Sequence, residues 1–175
     1  MTLHHSALEG VAPDGSVLDT GQRGLALGYL ESLAMVERLH RLLLDVIKDE
    51  FERLGLLEIN SVQALLLFNI GENEVTAGEL KSRGYYQGSN VSYNLKKLVE
   101  LGYMHHQRSE LDRRSVRVKL SEKGRRVRNV MLDLFARQAE VMYKKSIIDA
   151  AGMEEVNFSL KRLERFWTEQ IRYIY

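Results

Sequence analysis

Six cations lie close together in the middle of the chain: Lys96, Lys97, Arg108, Arg113, Arg114 and Arg117. Just before and among them stand Gln87, Ser89, Asn90, Ser92 and Tyr93. These residue types bind rather than react. Cations neutralise phosphates, and short polar side chains at the start of a helix reach base edges in a major groove. The net charge of +1 hides how localised this is. Residues 1–74 hold 5 Lys/Arg against 12 Asp/Glu, whereas residues 75–130 hold 13 against 5. A basic segment between an acidic and a neutral one is the electrostatic footprint of a polyanion partner.

Other chemistries fit poorly. His105 and His106 are adjacent on an expected strand, so they point to opposite faces and do not share a metal. His4 and His5 lie in a loose N-terminal stretch, and His40 stands between Glu37 and Arg41, which read as a helical ion pair. With no cysteine, a zinc site needs matched His and carboxylates that the spacing does not offer. "GENEVTAGEL" has glycines but lacks the Lys-Ser/Thr of a phosphate loop, and there is no nucleophile elbow. No metal, no cofactor and no enzymatic activity are expected.

The elements that must position the basic residues follow from periodicity. From Gly24 to Leu54 apolar residues recur at helical spacing, and Gly55 is the expected stop. This helix, on the order of 45 Å long, exceeds what a domain of this size needs for its own core. Asn60 is placed to cap a short helix ending at Ile70, before Gly71. Thr76 and Glu79 have capping-box spacing. After the turn "YYQGSN", Val91, Leu95, Leu98 and Val99 share one helical face, opposite Ser89, Asn90, Ser92, Tyr93, Lys96 and Lys97, and Gly102 ends the helix. "YMHHQ" and "SVRVKL" read as a two-stranded hairpin with a basic tip, "RSELDRR". Ser121 caps the next helix, which runs to about Tyr143. A last helix is expected after Gly152, with Met153, Val156, Leu160, Leu163, Phe166, Trp167, Ile171 and Ile174 on its apolar side.

The fold expected is mainly α with a small β-hairpin wing: a winged helix-turn-helix flanked by long helical dimerisation elements. Residues 1–23 read as a tail, 24–58 and 125–175 as the helical dimerisation region, and 59–124 as the DNA-binding lobe. In this arrangement the polar helix enters a major groove and an arginine-tipped hairpin enters the minor groove.

These residues carry a family resemblance. "LVELGYMHHQRSELDRRSVRVKLSEKGRRV" resembles the MarR family of bacterial transcription regulators. The matching features are Leu98 to Gly102 at the end of the recognition helix, Asp112 with Arg114 at the wing tip, and Ser121 to Gly124 opening the next helix. Leu80 to Val91 matches the helix-turn-helix without a gap, and the resemblance extends over residues 25–175. Tyr93 stands where the family often has a basic residue and Asn94 where it has an apolar one. The resemblance implies a homodimer whose first helix and last two helices interleave with those of a second copy. It also implies a small aromatic effector in a cleft near Phe68, Met131 and Phe135, with repression by promoter occupancy. Double-stranded DNA with a near-palindromic operator is the expected partner, and Asp112 is expected to support the wing tip.

Apolar residues make up 45% of the chain, enough for a core, and no run approaches the ~18 residues of a membrane span. The N-terminal stretch lacks the pattern of an export signal, so the cytoplasm is expected. The alternative function is a winged-helix protein-interaction scaffold without specific DNA binding. Clustering of the six cations on one side is the feature that separates the two.

Overall fold

The computed structural model describes residues 19–76, 79, 88–108 and 116–174; side chains at 88–91, 107–108, 116 and 172–174 lie outside that description. The order of described elements is α1 (Thr20–Arg53), α2 (Ser61–Ile70), β1 (Val75–Thr76), α3 (Gly88–Glu100), β2 (Met104–Arg108), β3 (Val116–Leu120), α4 (Glu122–Lys144) and α5 (Ala150–Ile174). The chain is therefore mainly helical with a small antiparallel sheet. It divides into two compact units, Met1–Leu66 and Leu67–Tyr175.

In the first unit, α1 begins four residues before Gly24. Asp19 accepts a bond from the Gln22 amide at 2.8 Å, and the Gln22 side chain accepts from the Asp19 amide at 3.1 Å. This capping box is built from Asp and Gln. The helix ends as expected: Gly55 adopts φ +69°, which a side chain would strain. Only Ile47, Glu50 and Phe51 of its 34 residues are buried. Glu50 is held by Arg53, whose guanidinium donates to both carboxylate oxygens at 2.7 and 2.8 Å. Asn60 caps α2 as expected, in a reciprocal pair with Gln63.

In the second unit, β1 was not expected. It is two residues long, too short to display alternation, yet it pairs with β3 through Val75↔Val118 and Thr76↔Arg117. The hairpin thus supplies the central strand β3 and the edge strand β2 of a three-stranded sheet of order β1-β3-β2. Thr76 ends β1 and forms the capping box with Glu79: the Glu79 carboxylate accepts from the Thr76 amide and the Thr76 hydroxyl from the Glu79 amide. β2 pairs with β3 from Met104↔Leu120 to Arg108↔Val116. α3 packs on β2 and α4 on β3. The core comprises Leu67, Ile70, Val75, Leu95, Leu98, Tyr103, Met104, Val118, Leu120, Val127, Met131 and Leu134.

α4 runs to Lys144, and Ser146, with φ +50°, turns the chain without a glycine. α5 starts at Ala150, ahead of Gly152. Asp149 is its cap, accepting from the Gly152 amide at 2.8 Å. No residue of α5 from Ala150 to Ile171 is buried. Among the described residues, no helix is long and apolar enough to cross a membrane.

Candidate nucleic-acid interface

α3 is amphipathic in the sense required of a helix laid into a groove. Leu95 and Leu98 are buried beneath it, while Ser92, Tyr93, Lys96 and Lys97 are exposed; Tyr93 is 68% accessible. The cations are free to reach outward, since Lys96 meets Glu100 only at 3.9 Å and at an exposed i,i+4 spacing. Ser89 and Asn90 occupy the first turn of the same helix.

The C-terminus of α3 is fastened to the start of α4. The Tyr103 amide donates to the Leu98 carbonyl at 2.9 Å, with Gly102 at φ +75°, which is the closure that a left-handed C-cap requires. The carbonyls just past the helix then find donors from α4 or its cap. Lys123 Nζ donates to Leu101 O at 3.0 Å, the Ser121 hydroxyl to Gly102 O at 2.7 Å, and the Ser121 amide to Tyr103 O at 3.0 Å. Lys123 Nζ also sits 4.2 Å from the Tyr103 ring centroid. Gly124 makes this approach possible, because a Cβ there would lie 2.2 Å from Tyr103 O. In the first turn of α4, Arg125 hydrogen-bonds Glu122 and holds its carboxyl below the usual carboxylate range.

The sheet separates the cations expected on one side. His106 and Val118 line the side facing α3, so strand alternation turns Arg117 and Lys119 to the opposite face. There they flank Glu74, at 4.0 Å and 3.9 Å. Lys96 and Lys97 are on α3; Arg117 does not share their face. Arg108 and Gln107 lie on the β2 backbone, and Gln87, Asp112, Arg113 and Arg114 fall outside the described residues.

Two further groups bear on binding. Phe68 and Phe135, both half-buried, meet edge to face with centroids 5.2 Å apart, and Met131 is fully buried. A recess of about 420 Å³ opens between α3 and the sheet, lined by Ser92, Leu95, Lys96, Val99, Glu100, His106 and Val118. Sequence reading missed it because its apolar floor combines residues from a helix and two strands. Glu74 and Lys123 were missed for the same reason: each is distant in sequence from the group it meets. Among the described residues no three His, Cys, Asp or Glu side chains gather as a metal site. His40 is exposed beside the Glu37–Arg41 pair at 3.8 Å.

Comparison with known proteins agrees with this geometry. A winged helix DNA-binding domain model matches residues 59–124. The chain is 38% identical to the exopolysaccharide II synthesis transcriptional activator ExpG of Rhizobium meliloti (strain 1021), over 83% of this chain and 74% of that protein. It resembles the crystal structure of a MarR transcriptional regulator from Methanosarcina mazei Go1 with a TM-score of 0.64 and 26% identity, covering 78% of this chain and 95% of that one. The fold is shared with a MarR family regulator from Listeria monocytogenes crystallised with a 26mer DNA, at TM-score 0.69 and 15% identity, over 81% and 92% of the two chains. The chain thus belongs to the MarR family of winged helix-turn-helix transcriptional regulators.

Proposed function

We propose that the chain acts as a homodimer on a near-palindromic DNA operator and that a small aromatic effector modulates this binding. One observation carries the DNA reading: an exposed row, Ser92, Tyr93, Lys96 and Lys97, stands on a helix whose other side is anchored by Leu95 and Leu98. In this reading Ser89, Asn90, Ser92 and Tyr93 read the major groove, while Gln87, Lys96 and Lys97 hold phosphates. Arg108 and Arg113 add backbone contacts, Arg114 enters the minor groove, and Asp112 supports the wing tip. Residues 59–124 form the DNA-binding lobe, and 24–58 with 125–175 the dimerisation region.

The dimer is supported by apolar surface that the single chain leaves open. α1 exposes Leu25, Met35, Leu39 and Leu42, and α5 exposes Val156, Leu160, Phe166 and Ile171. A 25-residue helix with an apolar stripe and no buried residue through Ile171 needs a partner surface. A second copy supplies one by symmetry. The effector reading is supported by the recess beside α3, whose volume of about 420 Å³ suits a small ligand. A cleft near Phe68, Met131 and Phe135 is the other candidate place for this effector.

Occupying a promoter would repress transcription. A second reading, activation, is favoured by the activator from Rhizobium meliloti that this chain resembles. Selection of bound fragments from random duplexes, followed by transcript measurement with and without the protein, tests both. Enrichment of a near-palindrome supports specific binding, and the sign of the transcript change separates repression from activation. Failure to enrich any motif would favour the protein-scaffold alternative.

A further inference from the structure

The turn that leads into β1 carries two carboxylates with different destinations. Glu72 accepts from Arg128 of α4 at 2.8 Å. Glu74 precedes β1, and the pairing Val75↔Val118 sets it beside β3 on the face shared by Arg117 and Lys119. Its Oε2 is 4.0 Å from Arg117 Nη1 and its Oε1 3.9 Å from Lys119 Nζ. The three side chains remain accessible, at 35%, 51% and 50% for Glu74, Arg117 and Lys119.

Both separations are longer than a hydrogen bond, so Glu74 does not orient either cation by a directional contact. It acts through its charge. A phosphate approaching Arg117 or Lys119 meets a carboxylate set beside both. Such exposed pairs add little to folding stability. Their effect on a polyanion is larger, because the attraction of each cation for phosphate is opposed at close range.

We propose that Glu74 is an electrostatic restraint at the base of the wing, lowering the sequence-independent attraction that Arg117 and Lys119, on the sheet face away from α3, exert on DNA backbone beyond the groove that α3 enters. This rests on the DNA-binding reading above. Backbone contacts strengthen binding to every sequence alike, so a charge that weakens them raises the share of affinity that comes from base contacts by α3. Glu74 thus limits capture by the excess of non-specific sites.

Fluorescence anisotropy with a scrambled-sequence duplex over a salt series tests the proposal. The proteins are wild type, Glu74→Gln, Arg117→Gln with Lys119→Gln, and the triple variant. Glu74→Gln is expected to bind about fivefold tighter, the equivalent of one unit-charge contact at about 4 Å in water. Its dependence of log affinity on log salt should steepen by about 1 per chain. In the Arg117→Gln, Lys119→Gln background the same change should alter affinity by less than about twofold, as for uncoupled sites. Unchanged or weaker binding by Glu74→Gln overturns the proposal. So does an equal gain in both backgrounds, which would mark a general effect of net charge. Lys97→Ala distinguishes this failure from that of the underlying reading. If it weakens binding while Glu74→Gln produces no gain, DNA binding stands and the restraint falls. If wild type binds no duplex, both fall.

Discussion

The Ser121 hydroxyl donates to the Gly102 carbonyl at 2.7 Å, across 19 residues of sequence, and accepts from the Gly124 amide at 3.1 Å. One buried hydroxyl therefore ties the turn after α3 to the start of α4. Ser121→Ala removes a cap and leaves the Gly102 carbonyl without this donor. It should destabilise the fold by about 1–3 kcal/mol in urea unfolding. Ser121→Thr, which keeps the hydroxyl, should lose less. Equal losses for the two variants would show that the hydroxyl is not the reason for serine here.

Gly124→Ala sets two effects against each other. Alanine in a helix interior is favoured over glycine by roughly 1 kcal/mol. Here its Cβ would lie 2.2 Å from Tyr103 O, a backbone atom fixed by the Ser121 amide. The clash should win, giving net destabilisation of about 1–3 kcal/mol. A stabilised variant would refute the close approach.

Dimerisation is tested on α5. Leu163→Glu with Ile171→Glu places two charges on its apolar stripe, where Ile171 is 63% exposed in the single chain. The expected result in sedimentation is a wild-type dimer at micromolar concentration and a monomeric or aggregated double variant. A stable wild-type monomer would remove the homodimer from the proposed function.

The three proposed DNA contacts should separate by kind. Lys97→Ala should weaken all duplexes about equally and flatten the salt slope by roughly 1 per chain. Asn90→Ala should cost about 1–3 kcal/mol at one base position and relax preference there. Arg114→Ala should weaken binding most where the flanking sequence is A·T-rich. Anisotropy with the selected operator and scrambled duplexes measures all three. If Lys97→Ala and Arg114→Ala leave every duplex unaffected, the DNA-contact assignment fails.

Local chemistry was legible in the order of residues. The positive φ of Gly55, Gly71 and Gly102, the Asn60 and Ser121 caps and the Thr76–Glu79 box follow from groups a few residues apart. The alternation of Val118 and Leu120 with Arg117 and Lys119 predicted β3, because period-two burial is written directly into a strand. The resemblance carried by Leu98–Gly102 and Ser121–Gly124 was readable for the same reason.

Tertiary structure decided what depends on distant residues meeting. β1, with one buried valine, has no pattern of its own and exists through pairing with β3. That pairing brings Glu74 to Arg117 and Lys119, and the strand pleat turns Arg117 away from Lys96 and Lys97, the cations the sequence suggested it would join. Lys123 reads in sequence as an ordinary surface cation of a helix start. Folding sets it on the carbonyl of Leu101 and the ring of Tyr103, because Gly124 lets α4 approach the end of α3 more closely than any side chain would allow.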